Sequence, residues 1–224
     1  MFIGHFGVGF GAKPAARQTS LGTLFLAAQF IDLLWPTLLL LGIEVVEIAP
    51  GDTKLTPLAF VDYPVSHSLL AVVAWSLLVG GVYYAVRRAV MPAVVCGVLV
   101  ASHWFLDLLV HRPDLPLAPG APARVGLGLW NHPAVAVGLE LLIFAAGLIL
   151  YLRATRSTDR VGSIGLWSLV VFLGLIYGAN ILGSVLGPPP PSVGAIAWVG
   201  QTQWLLVAWG YWVDRHREGR PPAS

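Results

Sequence analysis

The segment Val90–Val110 reads VMPAVVCGVLVASHWFLDLLV, a long apolar run in which Ser102, His103 and Asp107 are the polar exceptions. A run of this length and hydrophobicity predicts a helix that crosses a membrane. Residues four positions apart share one face of a helix, so His103 and Asp107 are expected to point the same way. Ionisable groups are costly inside such a helix and therefore indicate a functional site. Two interpretations of the pair remain open: it holds a metal ion, or it forms a hydrogen-bonded brace between helices.

The composition of the whole chain supports a membrane location. Of its 224 residues, 57% are hydrophobic and only 11% are charged, and the mean hydropathy is +0.78. Soluble domains carry about 25% charged residues on average. We therefore expect one integral-membrane domain over residues 1–224, with the lipid bilayer as its surroundings. The net charge is +2 without a basic patch, which argues against a nucleic-acid partner, and the single Cys96 excludes an intrachain disulfide.

Further apolar runs predict five more spanning helices, six in total. They cover residues 21–43, 66–86, 132–152, 163–186 and 193–213. The opening segment Met1–Ala12 is apolar but reaches only about two thirds of the length that a span requires. We expect it to form a short re-entrant helix buried in protein, with its glycines allowing close helix packing. The predicted fold is an all-α polytopic membrane helix bundle, kinked at Pro36 in its first span.

Basic residues collect on one side of this predicted bundle. Three lie on the other side: Lys54, Arg112 and Arg124. The remaining ten are Lys13, Arg17, Arg87, Arg88, Arg153, Arg156, Arg160, Arg215, Arg217 and Arg220. Because cytoplasmic loops are enriched in Lys and Arg, this distribution predicts both termini in the cytoplasm and the loops 44–64, 111–131 and 187–192 outside. The tail 214–224 is then expected to be cytoplasmic and flexible.

Ionisable side chains from several segments are expected at a similar depth. Asp32 lies near the middle of the first predicted span, and His67 lies at the start of the second. His5 reaches the same depth when the opening helix enters the membrane. Imidazole nitrogen and carboxylate oxygen are ligands of zinc and related ions. Together with His103 and Asp107, these residues predict a site for a divalent metal, with zinc as the first choice.

Three further groups could contact those ligands or hold a second ion: His111, His132 and Glu140. Each also has a simpler interpretation. His111 fits a solvated loop residue, and His132 fits a helix-start histidine that faces lipid headgroups. Glu140 fits a protonated, hydrogen-bonded group inside the membrane. These alternatives stay open from the sequence.

The motifs that carry these groups are Gly4-His5, Phe30-Ile31-Asp32-Leu33, Ser66-His67-Ser68, and Ser102-His103 with Asp107. They resemble those of the YdjM-type inner-membrane proteins, a family described as metal-dependent hydrolases. The resemblance covers roughly residues 3–135. It implies a location in the bacterial inner (cytoplasmic) membrane, and it implies metal ligands at His5, Asp32, His67, His103 and Asp107.

The chain departs from the family pattern in two places. Ile31 stands where the family has a proline, and Leu34 stands where it has a second aspartate. The missing acid weakens the case for a second metal ion. Asp62, Tyr63 and Pro64 stand where the family has His-Arg-Gly. Asp62 is therefore a candidate ligand in place of the missing imidazole. The order of acids and imidazoles is also similar, more weakly, to that of zinc-dependent phospholipase C and nuclease folds.

The leading functional hypothesis is a membrane-embedded metal-dependent hydrolase. It would act at the outer face on phosphoesters or other small-molecule or lipid-derived substrates, with Asp32 or Asp62 holding or deprotonating the attacking water. The alternative is a proton- or metal-coupled transporter that uses the same buried groups. Conduction requires polar groups in both halves of the membrane, whereas hydrolysis requires one cluster open to one side. The sequence does not indicate an oligomeric state.

Overall fold

The computed structural model describes residues 1–220 and is mostly helical, which confirms the all-α prediction. The end of the predicted flexible tail, residues 221–224, lies outside the described range. The helices are α1 (Ile3–Gly11), α2 (Leu21–Ala28), α3 (Phe30–Leu40), α4 (Pro64–His67), α5 (Leu69–Arg87), α6 (Val90–Val110), α7 (Pro133–Ala154), α8 (Arg160–Leu186), α9 (Val193–Gln201) and α10 (Gln203–Arg215). Short strands pair antiparallel as β1 (Val45–Ile48) with β2 (Leu58–Asp62), β3 (Leu115–Pro116) with β4 (Arg124–Val125), and β5 (Thr155–Ser157) with β6 (Arg217–Gly219).

Among residues 1–220, four helices are long and apolar enough to cross a membrane: α5, α6, α7 and α8. The pair α2 and α3 forms a fifth candidate, bent by 57°. These helices support the prediction of an integral membrane protein. The predicted sixth span is divided at Thr202 into α9 and α10 and is not among these candidates. Six spans therefore stay a prediction.

The bend in the first span lies at Gln29 rather than at the predicted kink, Pro36. Pro36 lacks an N–H, so the carbonyl of Asp32 loses its partner within α3. Gln203 Nε2 lies 3.5 Å from that carbonyl oxygen and donates to it. The contact occurs because α9 packs on α3 and α10 packs on α2, so that two interrupted helices run antiparallel side by side.

Helix α1 is buried at the centre of the bundle against α7, α2 and α6. A Cβ on Gly147 would lie 1.8 Å from the carbonyl oxygen of Gly7, so glycine is required for this close approach, as predicted. The helix runs in one direction, from Met1 beside Asp107 towards Lys13, and its re-entrant character stays a prediction. The cytoplasmic location of both termini stays a prediction, and Met1 itself is buried.

The two ends of the bundle differ in structure. One end, here called the hairpin end, carries the β1–β2 hairpin and the loop 111–132, and α6 ends there. The opposite end, here called the Lys13 end, carries Lys13 and the β5–β6 pair. The flexible tail expected from residue 214 is wrong for its first part, because α10 continues to Arg215 and β6 pairs with β5.

Candidate metal centre

Four helices bring the predicted ligands together near the hairpin end. The ligand atoms of His5, His103 and Asp107 all lie within 4.8 Å of one another, and so do those of Asp32, His67 and His103. These residues belong to α1, α3, α4 and α6, which are far apart in sequence. The two groups overlap at His103. All five predicted ligands therefore surround one point of the fold.

His103 directs its Nε2 towards the cluster. Its Nδ1 lies 3.0 Å from the carbonyl oxygen of Ala28, which can only accept, so Nδ1 carries a proton. Its Nε2 lies 3.2 Å from Asp107 Oδ2 and 3.5 Å from Asp32 Oδ1. That nitrogen is buried and makes no hydrogen bond among the described residues. Between two carboxylates it is stabilised by a positive charge, which either a proton or a metal ion supplies.

His67 is oriented by a chain of hydrogen bonds, here called the relay, that runs from Glu44 through Ser66 and that no local sequence pattern indicates. Ser66 Oγ donates to Glu44 Oε2 at 2.6 Å, so it accepts the proton of His67 Nδ1 at 2.7 Å. Glu44 Oε1 also accepts the backbone N–H groups of Val65 and Ser66. The relay directs His67 Nε2 towards the cluster, at 3.7 Å from both Asp32 Oδ1 and Asp107 Oδ2. Metal-binding histidines are usually oriented by such partners.

The two carboxylate oxygens of Asp107 face different sets of residues. Oδ2 faces His67 and His103, whereas Oδ1 lies 3.2 Å from His5 Nε2 and is paired with the Met1 ammonium. His5 and His103 stack with their ring centroids 3.7 Å apart. Asp107 is therefore the acid that contacts both groups of potential ligands.

The donor set suits a divalent cation of the zinc type. Three imidazole nitrogens and two carboxylates converge, which are the N and O ligands that zinc accepts. Asp107 is paired with the Met1 ammonium, and within residues 1–220 no lysine or arginine lies within 4 Å of either carboxylate. A bound cation would balance the remaining negative charge and take Nε2 of His103 as a ligand. The residues present thus fit a metal ion, although the arrangement does not identify which one.

Glu140 accepts hydrogen bonds from the start of α1. Its Oε2 accepts the backbone N–H groups of Phe2 at 2.7 Å and Gly4 at 3.2 Å. These N–H groups belong to the start of α1, where a negative charge stabilises a helix. Glu140 therefore positions α1, and with it His5.

The other predicted residues fall into two classes. His111 is buried near the cluster, with its ring centroid 6.5 Å from that of His67. His132 is exposed at the start of α7 and does not reach the cluster. Asp62 is exposed at the end of β2, so its predicted role as ligand or base is not supported. Val61 and Asp62 at the end of β2 are both exposed, and the residue after the strand, Tyr63, is fully buried instead.

Above the cluster, side chains of the hairpin and of the loop 111–132 form a cap. This aromatic cap consists of Phe60, Tyr63, His111 and Trp130, with His111 4.3 Å from Trp130 and 4.8 Å from Phe60 between ring centroids. Burial lowers the pKa of His111, whose Nδ1 is hydrogen-bonded to Asp114 at 2.9 Å. Burial and the neighbouring Asp114 carboxylate raise the pKa of Tyr63, which donates to Asp114.

A cavity of about 610 Å³ adjoins the cluster. Its ionisable lining residues include Asp32, His67, Asp107, His111 and Glu140, and α8 adds Asn180 and Ser184. Towards the Lys13 end, the bundle is filled by aromatic rings instead: Phe10 lies 4.9 Å from Phe25 and 5.2 Å from Tyr151 between ring centroids. Phe6, Phe10 and Phe25 are fully buried in this core. The polar cluster is therefore confined to one end.

No protein-family model, curated protein or solved structure that was compared with the chain matches it.

Proposed function

We propose that this protein is a membrane-embedded metal-dependent hydrolase that acts on phosphoesters or lipid-derived substrates. The observation that carries the proposal is the convergence of His5, Asp32, His67, His103 and Asp107 beside a cavity large enough for a substrate. The resemblance of the motifs to YdjM-type proteins supports the same function. On the positive-inside distribution, the cavity faces the outer side of a bacterial inner membrane.

The roles of the residues follow from their exposure. His5, His67, His103 and Asp107 are almost fully buried and would hold the ion, zinc being the first choice. When bound, a divalent ion lowers the pKa of water and polarises the bond to be cleaved. Asp32 is the most accessible of the five, with 19% of its side chain exposed, and it lines the cavity. Asp32 is thus placed to orient the attacking water and to accept its proton.

The confinement of the His/Asp cluster to one end of the bundle favours hydrolysis over transport. A conduction path requires polar groups in both halves of the membrane. Here the buried rings of Phe6, Phe10 and Phe25 occupy the bundle between the cluster and the Lys13 end. A site that opens to one side suits an enzyme.

Hydrolysis assays on the zinc-loaded protein in nanodiscs test this proposal. The substrates are a phosphomonoester and a phosphodiester with a chromogenic leaving group, together with a phospholipid. Asp32→Asn should lower kcat by about 100-fold or more, the usual size of a lost general base. His132→Ala, an exposed change outside the cluster, should leave kcat unchanged. A zinc-loaded wild-type protein no more active than Asp32→Asn on every substrate would contradict the proposal.

A further inference from the structure

The cavity beside the ligand cluster extends away from it along apolar walls. The last turns of α8 and the first two turns of α9 form these walls, mostly with apolar side chains such as Ile181, Ile196 and Val199. Asn180 and Ser184 of α8 are polar exceptions. Pro188–Pro191 joins the two helices at the rim. A polar floor with a long apolar wall matches a ligand that has one charged end and one apolar end.

The apolar wall lies where lipid surrounds the bundle. After Tyr177, no residue of α8 is buried, so its last turns stand apart from the other helices. Large apolar side chains at this edge are highly exposed: Leu186 by 79%, Val199 by 69% and Trp198 by 67%. In a membrane these groups face acyl chains. The gap between α8 and α9 therefore connects the cavity with the bilayer.

The loop side of the cavity is closed by apolar groups. Leu55, Leu58 and Phe60 of the hairpin region line the cavity there, and Trp130 completes this part of the wall. The hairpin also reaches the rim, because Pro57 and Pro188 border a common small pocket of about 70 Å³. The aromatic cap thus separates the cluster from the aqueous side, and access through the α8–α9 gap is favoured.

One hydrogen-bond donor in the cavity wall has no partner among residues 1–220. It is Trp35 Nε1, which is buried. Buried polar groups normally have a partner, so this donor points to a ligand with acceptor oxygens. A phosphate oxygen beside the ligand cluster would accept from it.

From these observations we infer that the substrate is a membrane lipid with a phosphoester head group, which reaches the site sideways through the gap between α8 and α9. The head group lies at Asp32, His67 and Asp107, and the acyl chain lies along Ile181 and Ile196. This inference rests on the proposed hydrolase function. In the reaction, water supplies a hydroxyl group to phosphorus as the P–O ester bond breaks, and its remaining proton goes to the leaving alcohol.

A tryptophan that fills the gap tests the path of the lipid. Ile196→Trp places a large ring in the cavity wall, whereas Val185→Trp adds the same ring to an exposed position of α8 outside the cavity. The first readout is phospholipid retained by the metal-free protein in native mass spectrometry. Wild-type and Val185→Trp proteins should retain lipid, and Ile196→Trp should lose most of it. Ile181→Trp, on the opposite wall, should behave like Ile196→Trp.

The second readout compares a phospholipid with its water-soluble head-group ester, which lacks acyl chains. Ile196→Trp should lower kcat/KM for the lipid by about tenfold or more, the scale of a misfit in an apolar pocket. It should leave kcat/KM for the soluble ester within about twofold of wild type. Equal loss on both substrates by both cavity variants, or equal lipid retention by all proteins, would overturn the inference. Absence of hydrolysis by the metal-loaded wild type, with lipid retention that follows the cavity variants, would instead overturn the hydrolase function alone.

Discussion

The imidazole rings of His5 and His103 lie parallel, with centroids 3.7 Å apart and an interplanar angle of 4°. The two residues come from α1 and α6, and 97 residues of chain separate them. Two stacked imidazolium ions would repel each other, so at most one ring carries a charge unless a counter-ion intervenes. The stack therefore brings two imidazole nitrogens to Asp107, and it makes the position of α1 decisive for the site.

The hydrogen bonds that link Glu44, Ser66 and His67 predict that replacing one carboxylate oxygen of Glu44 by an NH2 group weakens metal binding. In Glu44→Gln the amide oxygen can still accept from Val65 and Ser66, but the amide NH2 then donates to Ser66 Oγ. Ser66 would turn its proton towards His67 Nδ1, which moves the imidazole proton to Nε2 and removes the ligand lone pair. We expect zinc affinity to fall by about 10- to 100-fold. Calorimetric titration of the metal-free protein measures this change.

Glu47→Gln is the matched control for that experiment, because Glu47 is exposed on β1 in the same hairpin. Its zinc affinity should equal that of wild type. Unchanged affinity in Glu44→Gln would show that the relay does not govern His67.

The contact between α1 and α7 predicts a strong steric effect at Gly147. A Cβ there meets the carbonyl oxygen of Gly7 at 1.8 Å, so Gly147→Ala must displace α1 and His5 with it. We expect a loss of about 1–3 kcal/mol in stability, typical of overpacking, together with weaker zinc binding. Gly138→Ala on the same helix, where a Cβ meets nothing within 4 Å, should change neither property. Thermal unfolding in detergent, with and without zinc, separates the two variants.

Asp114 predicts a pH dependence of the aromatic cap. Burial alone would raise the pKa of its carboxyl, but hydrogen bonds from His111, Tyr63 and Arg112 hold that pKa below its ordinary value of 3.8. Because the unfolded state binds this proton more readily, ionised Asp114 stabilises the fold above about pH 4, and this contribution is lost as the pH falls through the folded pKa. Asp114→Asn should therefore lower stability by about 1–3 kcal/mol at neutral pH.

Unfolding temperatures of wild type and Asp114→Asn across the acidic range provide the measurement. Their difference should shrink as the pH falls below about 4. A difference that is constant with pH would contradict an electrostatic role for Asp114.

The distribution of basic residues predicts which end of the bundle faces the cytoplasm. Ala123 is exposed at the hairpin end, and Thr158 is exposed at the Lys13 end. In a Cys96→Ser background, a membrane-impermeant maleimide should label Ala123→Cys in intact spheroplasts. It should label Thr158→Cys only after lysis. The reverse pattern would place the site on the cytoplasmic side.

The sequence was sufficient for features that helix geometry determines locally. The four-residue spacing of His103 and Asp107 places both on one face, and the structure shows both in the cluster. The meeting of His5, Asp32 and His67 with them was a hypothesis about long-range packing. The position of His5 in that meeting depends on α1, which is placed by the Gly7–Gly147 contact and by Glu140.

Features that depend on distant contacts were missed or wrong. Glu44 reaches Ser66 only because the β1–β2 hairpin closes the chain between them, and no local pattern marks it. Asp62 was expected at the site because it stands where the family pattern has a histidine. In the structure the last two residues of β2, Val61 and Asp62, are both exposed, and the following Tyr63 is buried.

Metal content of the purified protein tests the central claim most directly. Elemental analysis should find divalent metal, zinc first, in stoichiometric amount in the wild-type protein and in His132→Ala. His103→Ala should lose it, because that substitution removes the one nitrogen shared by both ligand groups. A folded wild-type protein that carries no metal and binds none when zinc is added would contradict the account.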